Sequence, residues 1–366
     1  MYRLVKRYRK KFLSVSFLLY GSLFFLHAGA TFYPAHHPAI RYVGRLQEVG
    51  NMRRLWSPGA CFEFAFKGDT CRLILGDELR YGVQHNYIEV QLDNEPALRL
   101  RLQSNRDTIT LVPHSKKKKH TLLVAKNTEA SIGYIDVIGV QASAIAFYKS
   151  SGSHMIEFIG DSITCGASAD TSLVKCGAGR WEDQHNAYMA YGPVVARRLH
   201  ADWVLTSVSG IGLMQSCCKM TIVMPQVFDK ADTRNDSIQW KFKNYTPDVV
   251  TVCLGQNDGI QAAGIFEKKY IEFIRQVRGY YPKATIVLLT SPMADEKLKP
   301  FMVQRLRNVE EVIRQNGDKN ITHFVFKGRY MGGCDYHPSV SEHGLIAEEL
   351  ITFFQEKELL KRNAYK

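Results

Sequence analysis

Near residue 150 the chain changes its hydrophobic period, and that change limits the fold more than any other feature. From about residue 40 to residue 148 apolar and polar positions alternate, as in Cys61-Phe62-Glu63-Phe64-Ala65-Phe66, Tyr87-Ile88-Glu89-Val90-Gln91-Leu92 and Leu98-Arg99-Leu100-Arg101-Leu102. Successive side chains of a strand point to opposite faces, so this period predicts half-buried strands. Turn segments such as Lys67-Gly68-Asp69 and Asp93-Asn94-Glu95-Pro96 separate them at short intervals, which predicts an antiparallel sandwich. After Ser150-Ser151-Gly152-Ser153 the pattern becomes apolar strands (155–159, 203–208, 249–254, 285–290, 323–326) alternating with helix-period segments (187–199, 265–281, 301–316, 341–361). Strand-helix alternation of this kind predicts right-handed crossovers and a parallel sheet covered on both faces. Chemistry in such sheets gathers at the carboxyl ends of the strands.

The formal charge of +13 is unevenly placed. Residues 1–30 hold six basic side chains and no acids, and Lys116, Lys117, Lys118 and Lys119 form a run, which leaves +3 for the rest. The lysine run reads as a solvated turn between strands. Basic and aromatic residues are not interleaved, so nucleic acid is excluded as a partner. The first residues have the form of an export signal: a basic stretch to Lys11, an apolar stretch over 12–26, then Ala28-Gly29-Ala30 as a cleavage site. That apolar stretch is short for a bilayer span, which needs about 20 residues. The expected organisation is therefore a signal peptide over 1–30, a sandwich over 31–150 and an α/β domain over 151–366. The mature protein is expected to be exported, periplasmic or secreted, without a stable membrane span; a retained N-terminal anchor is the alternative.

Eight cysteines in an exported chain permit disulfides, but their spacing fits no metal module, so no metal is expected. Cys61 with Cys71 and Cys165 with Cys176 are candidate bridges, and Cys253, inside an apolar strand, is expected to be a buried free thiol. Connectivity does not follow from sequence.

Four segments carry chemistry. The first strand runs into Gly160-Asp161-Ser162-Ile163-Thr164, which sets the Ser162 hydroxyl at a strand end beside a helix start, where backbone N–H groups favour an oxyanion. Taken alone, Asp161 or Ser162 is equally a helix cap. Two glycines follow the next strand in Ser209-Gly210-Ile211-Gly212, and glycine lets backbone N–H groups approach a ligand closely. Gly255-Gln256-Asn257-Asp258-Gly259 follows the most apolar strand. Asn257 can donate its side-chain N–H to a developing negative oxygen, worth about 3 kcal/mol in comparable sites. In Asp335-Tyr336-His337-Pro338, just before the last helix, a neutral imidazole can take a serine proton and return it to a leaving alcohol.

In the order Ser, Gly, Asn, then Asp and His, this quartet resembles the SGNH (GDSL-type) hydrolase superfamily. The likeness extends upstream: Val43-Gly44-Arg45, Trp56-Ser57-Pro58-Gly59, Phe64-Ala65-Phe66-Lys67-Gly68, His120-Thr121-Leu122 and Lys126-Asn127-Thr128-Glu129 are similar to carbohydrate esterase family 2. So are Ile163-Thr164-Cys165-Gly166 and Asn186-Ala187-Tyr188. The resemblance implies a three-layer α/β/α SGNH domain with a flavodoxin-like parallel sheet, preceded by an antiparallel, jelly-roll-like β-sandwich. It implies Ser162 as nucleophile, His337 as base, and an oxyanion hole from Ser162, Gly210 and Asn257. Asp335 is the expected orienter of His337, but the superfamily pattern is Asp-x-x-His, whereas here Asp335 lies two residues before the histidine. Family members vary at this point, some orienting the histidine through backbone carbonyls.

The implied activity is hydrolysis of O-acetyl esters on xylan- or mannan-type polysaccharides through an acyl-enzyme, with no cofactor and an acetylated glycan as partner. A non-catalytic carbohydrate-binding protein and a lipid esterase or thioesterase on the same scaffold are the alternatives, because fold does not fix substrate. Trp181, Tyr330 and Tyr336 are candidates for stacking on a pyranose ring.

Overall fold

A computed structural model describes residues 30–234 and 237–360. The export signal expected over 1–30 lies almost wholly outside the described residues. The first part is built from β1 (Thr31–Pro34), β2 (Arg41–Val43), β3 (Leu46–Val49), β4 (Met52–Leu55), β5 (Cys61–Lys67) and β6 (Cys71–Asp77). β7 (Tyr87–Leu92), β8 (Leu98–Arg101), β9 (Arg106–Leu111), β10 (His120–Lys126), β11 (Ile135–Ala142) and β12 (Ala144–Ala146) complete it. They form two antiparallel sheets, one in the order β3-β4-β11-β6-β9 with β1 on β11, the other in the order β12-β5-β10-β7-β8 with β2 on β5. Phe62, Phe64, Phe66, Leu73, Leu75, Leu122, Val124, Val137 and Val140 fill the space between the sheets.

The expectation of half-buried strands fails at the centre of the second sheet. β5 is buried at every position from Cys61 to Phe66, and β10 is nearly as covered. The reason is that the following α/β part packs on the outer face of this sheet: Val43, Cys61, Leu123 and Ala125 share one core with Phe158, Tyr188, Trp203 and Leu205. Polar residues that period two assigns to solvent are therefore buried and paired. Glu63 is 1% exposed and bonded by Arg41, which also reaches Asp202 across the junction. Arg45 is fully buried in the second part, where it donates to the Lys230 carbonyl at 2.8 Å and the Glu157 carboxylate at 3.0 Å and lies over the Phe228 ring.

Five parallel strands make the second sheet system: β13 (His154–Gly160), β14 (Ala201–Ser207), β15 (Val249–Cys253), β16 (Thr285–Leu289) and β17 (Ile321–Phe324). Their order is β14-β13-β15-β16-β17, all pairs parallel. Strands covered on both faces read as continuous apolar runs, and β15, Val-Val-Thr-Val-Cys, is buried throughout. The crossovers include α1 (Ser162–Cys165), α2 (Tyr191–Arg198), α3 (Met224–Val227), α4 (Ala263–Tyr280) and α5 (Leu298–Gln315); α6 (Val340–Glu356) follows β17. α5 buries Leu298, Met302, Leu306, Val309 and Ile313, the three-to-four spacing of one helix face. α6 begins with a reciprocal cap between Ser339 and Glu342. Numbered within this half, the order is 2-1-3-4-5, the flavodoxin-like order, whose switch point lies between its first and third strands. Those strands are β13 and β15, and they deliver Ser162 and Asn257. Among the described residues no helix is long and apolar enough to cross a membrane.

Candidate active site

β13 ends at Gly160, and Asp161 caps α1 by accepting the Ile163 N–H at 3.0 Å. Gly166 closes the helix at φ +67°, a left-handed conformation that glycine takes without steric cost. Asp161 is thus the cap, and Ser162 stands at the first helical position, 8% exposed. Burial pushes the Asp161 carboxyl up to about 7, with nearby Asp258 acting in the same direction.

The Ser162 Oγ lies 2.9 Å from His337 Nε2, across 175 residues of sequence. His337 Nδ1 is 2.9 Å from the Asp335 backbone oxygen. A carbonyl only accepts, so Nδ1 carries the proton and Nε2 presents its lone pair to the serine hydroxyl. The Asp335 carboxylate instead accepts from the Ser168 hydroxyl at 3.3 Å, so the expected orienting role of its side chain passes to its main chain. The cause is local: Asp335 (φ +49°) and Tyr336 (φ +57°) both occupy the left-handed region, which turns the 335 carbonyl back onto the ring. For non-glycine residues that conformation costs about 1–2 kcal/mol each. The loop is held by Gly333 N–H to the His337 carbonyl (2.7 Å), Cys334 N–H to the Ser168 carbonyl (2.8 Å) and a Cys176–Cys334 disulfide. Burial lowers the His337 pKa from the usual imidazole range, against the raising effect of its bond to the Asp335 carbonyl.

The two middle segments interlock. Asn257 donates its amide to the Ile211 carbonyl at 2.9 Å and to Asp161 at 3.3 Å. Asp258 accepts the N–H groups of Leu213, Met214 and Gln215 at 2.7–3.0 Å and so pins the loop that follows Gly210. Gly210 sits at φ +82°, where a Cβ would lie 2.8 Å from Cys217 Sγ and 3.0 Å from Met220 Sδ. Glycine is therefore required there by both backbone and space.

The expected cysteine pairs do not form. Cys165 is a buried thiol directed at Ser207 Oγ (3.2 Å), while Cys176 bonds Cys334 and Cys217 bonds Cys218. Cys61 and Cys71 remain free because they lie on opposite sheets, Cys61 facing the α/β part and Cys71 the sandwich core. Cys253 is the expected buried thiol. Of the aromatic candidates, Tyr336 is 74% and Trp181 40% exposed, whereas Tyr330 is tied to Glu349 at 2.6 Å. One buried group went unread in the sequence: Glu129, from the loop after β10, accepts the Ser209 N–H at 2.6 Å. Among the described residues no group of three or more His, Cys, Asp or Glu could hold a metal.

Comparison with known proteins agrees with this layout. Residues 42–148 match the carbohydrate esterase 2 N-terminal family and residues 158–340 the GDSL-like lipase/acylhydrolase family. Cellulase/esterase CelE of Acetivibrio thermocellus is 27% identical over 340 residues, which cover 88% of this chain and 40% of CelE, so the chain spans less than half of that relative. An acetylxylan esterase/glucomannan deacetylase of Cellvibrio japonicus is 24% identical over 323 residues, covering 82% of this chain and 84% of the relative. The solved structure of a family two carbohydrate esterase from Clostridium thermocellum in complex with cellohexaose superposes with a TM-score of 0.79 at 26% identity, covering 87% of this chain and 99% of that one. With half of its 366 residues matched by the second of those families and the sandwich matched by the first, the chain belongs to the GDSL-like lipase/acylhydrolases and carries a carbohydrate esterase 2 N-terminal region.

Proposed function

We propose that the protein is an exported serine esterase that hydrolyses O-acetyl esters on xylan- or mannan-type glycans, with a sandwich domain over 31–150 and a catalytic domain over 151–366. The observation that carries this reading is the 2.9 Å approach of Ser162 Oγ to a His337 Nε2 whose other nitrogen is engaged by a carbonyl. A buried nucleophile and a base of fixed tautomer are what acyl transfer requires and a glycan-binding role does not. In the reaction, Nε2 takes the hydroxyl proton as Oγ bonds to the acetyl carbonyl carbon. The tetrahedral oxyanion is held by the N–H groups of Ser162 and Gly210 and by the Asn257 amide, which turns from its 3.3 Å contact with Asp161 to do so. The C–O bond to the sugar breaks, and its oxygen leaves with the proton from His337. Water, deprotonated by the same imidazole, then attacks the acetyl-serine, and acetate departs as Ser162 recovers its proton. Exposed Tyr336 and Trp181 offer ring faces for a pyranose beside the site. The sugar substrate rests on the relatives' named activities.

Ser162→Ala should abolish turnover of an aryl acetate while leaving the thermal transition in place; parental turnover by this variant ends the proposal. Acetate release from acetylated xylan, set beside release from longer acyl esters, separates the glycan reading from a lipid esterase.

A further inference from the structure

We propose that Glu129, a residue of the sandwich, is a positioning residue for the esterase site: it fixes the backbone that presents the Gly210 N–H. The inference rests on the esterase reading above. Glu129 lies between β10 and β11, yet its side chain crosses the junction and is 1% exposed. Its Oε2 accepts the Ser209 backbone N–H at 2.6 Å and the Cys165 thiol at 3.4 Å. Cys165 in turn reaches Ser207 Oγ at 3.2 Å. One carboxylate oxygen thus joins the residue before Gly210 to the last residue of α1, the short helix that begins with Ser162.

Glu129 is itself immobilised from the sandwich side. The fully buried Lys126 donates through Nζ to the Thr128 carbonyl at 2.5 Å and to the Glu129 carbonyl at 3.2 Å, and Ile132 N–H reaches the same Glu129 oxygen at 3.2 Å. On the far side of Gly210, its own carbonyl accepts the Cys217 N–H at 2.8 Å. The peptide carrying the Gly210 N–H is therefore clamped at both ends, once by a sandwich carboxylate and once by the following loop. Among the described residues the Gly210 N–H has no acceptor, which leaves it for the oxyanion. A charge-assisted bond of this length is among the stronger ones in a protein, and a displacement of about 1 Å at a catalytic group can cost about a hundredfold in rate.

The carboxylate also leaves an electrostatic signature. His337 faces the negative charges of Asp335 and Glu129, and the buried imidazoles of His185 and His343 feel its charge in turn. Both carboxylates stabilise imidazolium, so neutralising Glu129 makes His337 easier to deprotonate and moves the acid limb of the rate profile to lower pH.

The test uses the full chain and an aryl acetate. Glu129→Ala removes the acceptor: kcat should fall roughly 10- to 100-fold with KM within about twofold. Glu129→Gln keeps an acceptor oxygen and should recover kcat to within about threefold of the parent, with its acid limb at lower pH. Glu129→Asp retains the charge but withdraws it by one methylene; kcat should fall with the acid limb unmoved, and this variant decides the matter if the alanine protein does not fold. Parental kcat in Glu129→Ala or Glu129→Asp overturns the inference, as does a Glu129→Gln protein no better than alanine. Failure of the esterase reading looks different: the parent itself would lack turnover, or would keep it in Ser162→Ala.

Discussion

Replacing Asp335 by Asn should leave the enzyme almost fully active. Where a carboxylate holds the histidine Nδ1–H, the same exchange costs about 10⁴ in kcat, because the wrong tautomer is then favoured. Here the 2.9 Å bond to Nδ1 comes from the main-chain oxygen of residue 335, which any residue supplies. What Asn removes is the negative charge, because its amide oxygen can still accept from Ser168 Oγ as the carboxylate does at 3.3 Å. Residue 335 is exposed, and a screened charge in that setting contributes below about 1 kcal/mol, or under about fivefold in rate. Asn also tolerates φ +49°, so the loop keeps its shape, whereas Ala adds about 1 kcal/mol of left-handed strain unrelated to chemistry. The sign of the pH effect follows. Burial already holds His337 below the ordinary imidazole range and the Asp335 charge acts upward, so its loss lowers the pKa further and extends the neutral base to lower pH. The assay is kcat/KM for an aryl acetate against pH, which reports the free enzyme's base. Expected are a plateau within about fivefold of the parent and an acid limb displaced to lower pH. A plateau lowered by about 10³ or more would show that the carboxylate orients the ring in solution, and would refute the main-chain account.

Asn257→Ala should cost about 10²–10³ in kcat, measured on an aryl acetate, because it deletes the proposed oxyanion donor and also frees the Ile211 carbonyl. Gly210→Ala keeps the N–H but should lower kcat on an aryl acetate by displacing it, since a Cβ would meet Cys217 Sγ at 2.8 Å with φ at +82°; parental kcat would show that the position does not require glycine. Cys176→Ser opens a bridge that spans 158 residues and anchors the residue beside Asp335, so chemical denaturation should show a loss of about 2–5 kcal/mol and the aryl acetate assay a lower kcat. Arg45→Met strands the buried Glu157 carboxylate and should destabilise the protein by about 3–5 kcal/mol, read as a fall in the denaturation midpoint.

The fold was legible because its signals are local. Continuous apolar runs such as β15 and the one-face spacing of α5 announce a covered parallel sheet, and the Gly-Asp-Ser and Asn-Asp segments lie within a few residues of the strands that deliver them. What stayed hidden depends on pairs distant in sequence. Period two marks Glu63 as a solvent-facing residue, and only the docking of the second part makes it buried and bonded to Arg41. The Cys176–Cys334 bridge joins loops that no spacing rule brings together. Whether Asp335 holds His337 by side chain or main chain turns on the φ angles of two residues, and neither Asp nor Tyr declares a left-handed conformation. Glu129 belongs to a segment that marked the family likeness, but a lone acid between two strands carries no sign that it crosses to the next domain.

The acyl-enzyme itself gives the most direct test of the central claim. Rapid quenching of the protein with an activated acetate ester, followed by peptide mass analysis, should find an acetyl group on the peptide that contains Ser162, formed in a burst and absent from Ser162→Ala. Acetate released at full rate with Ser162 never acetylated would contradict the account.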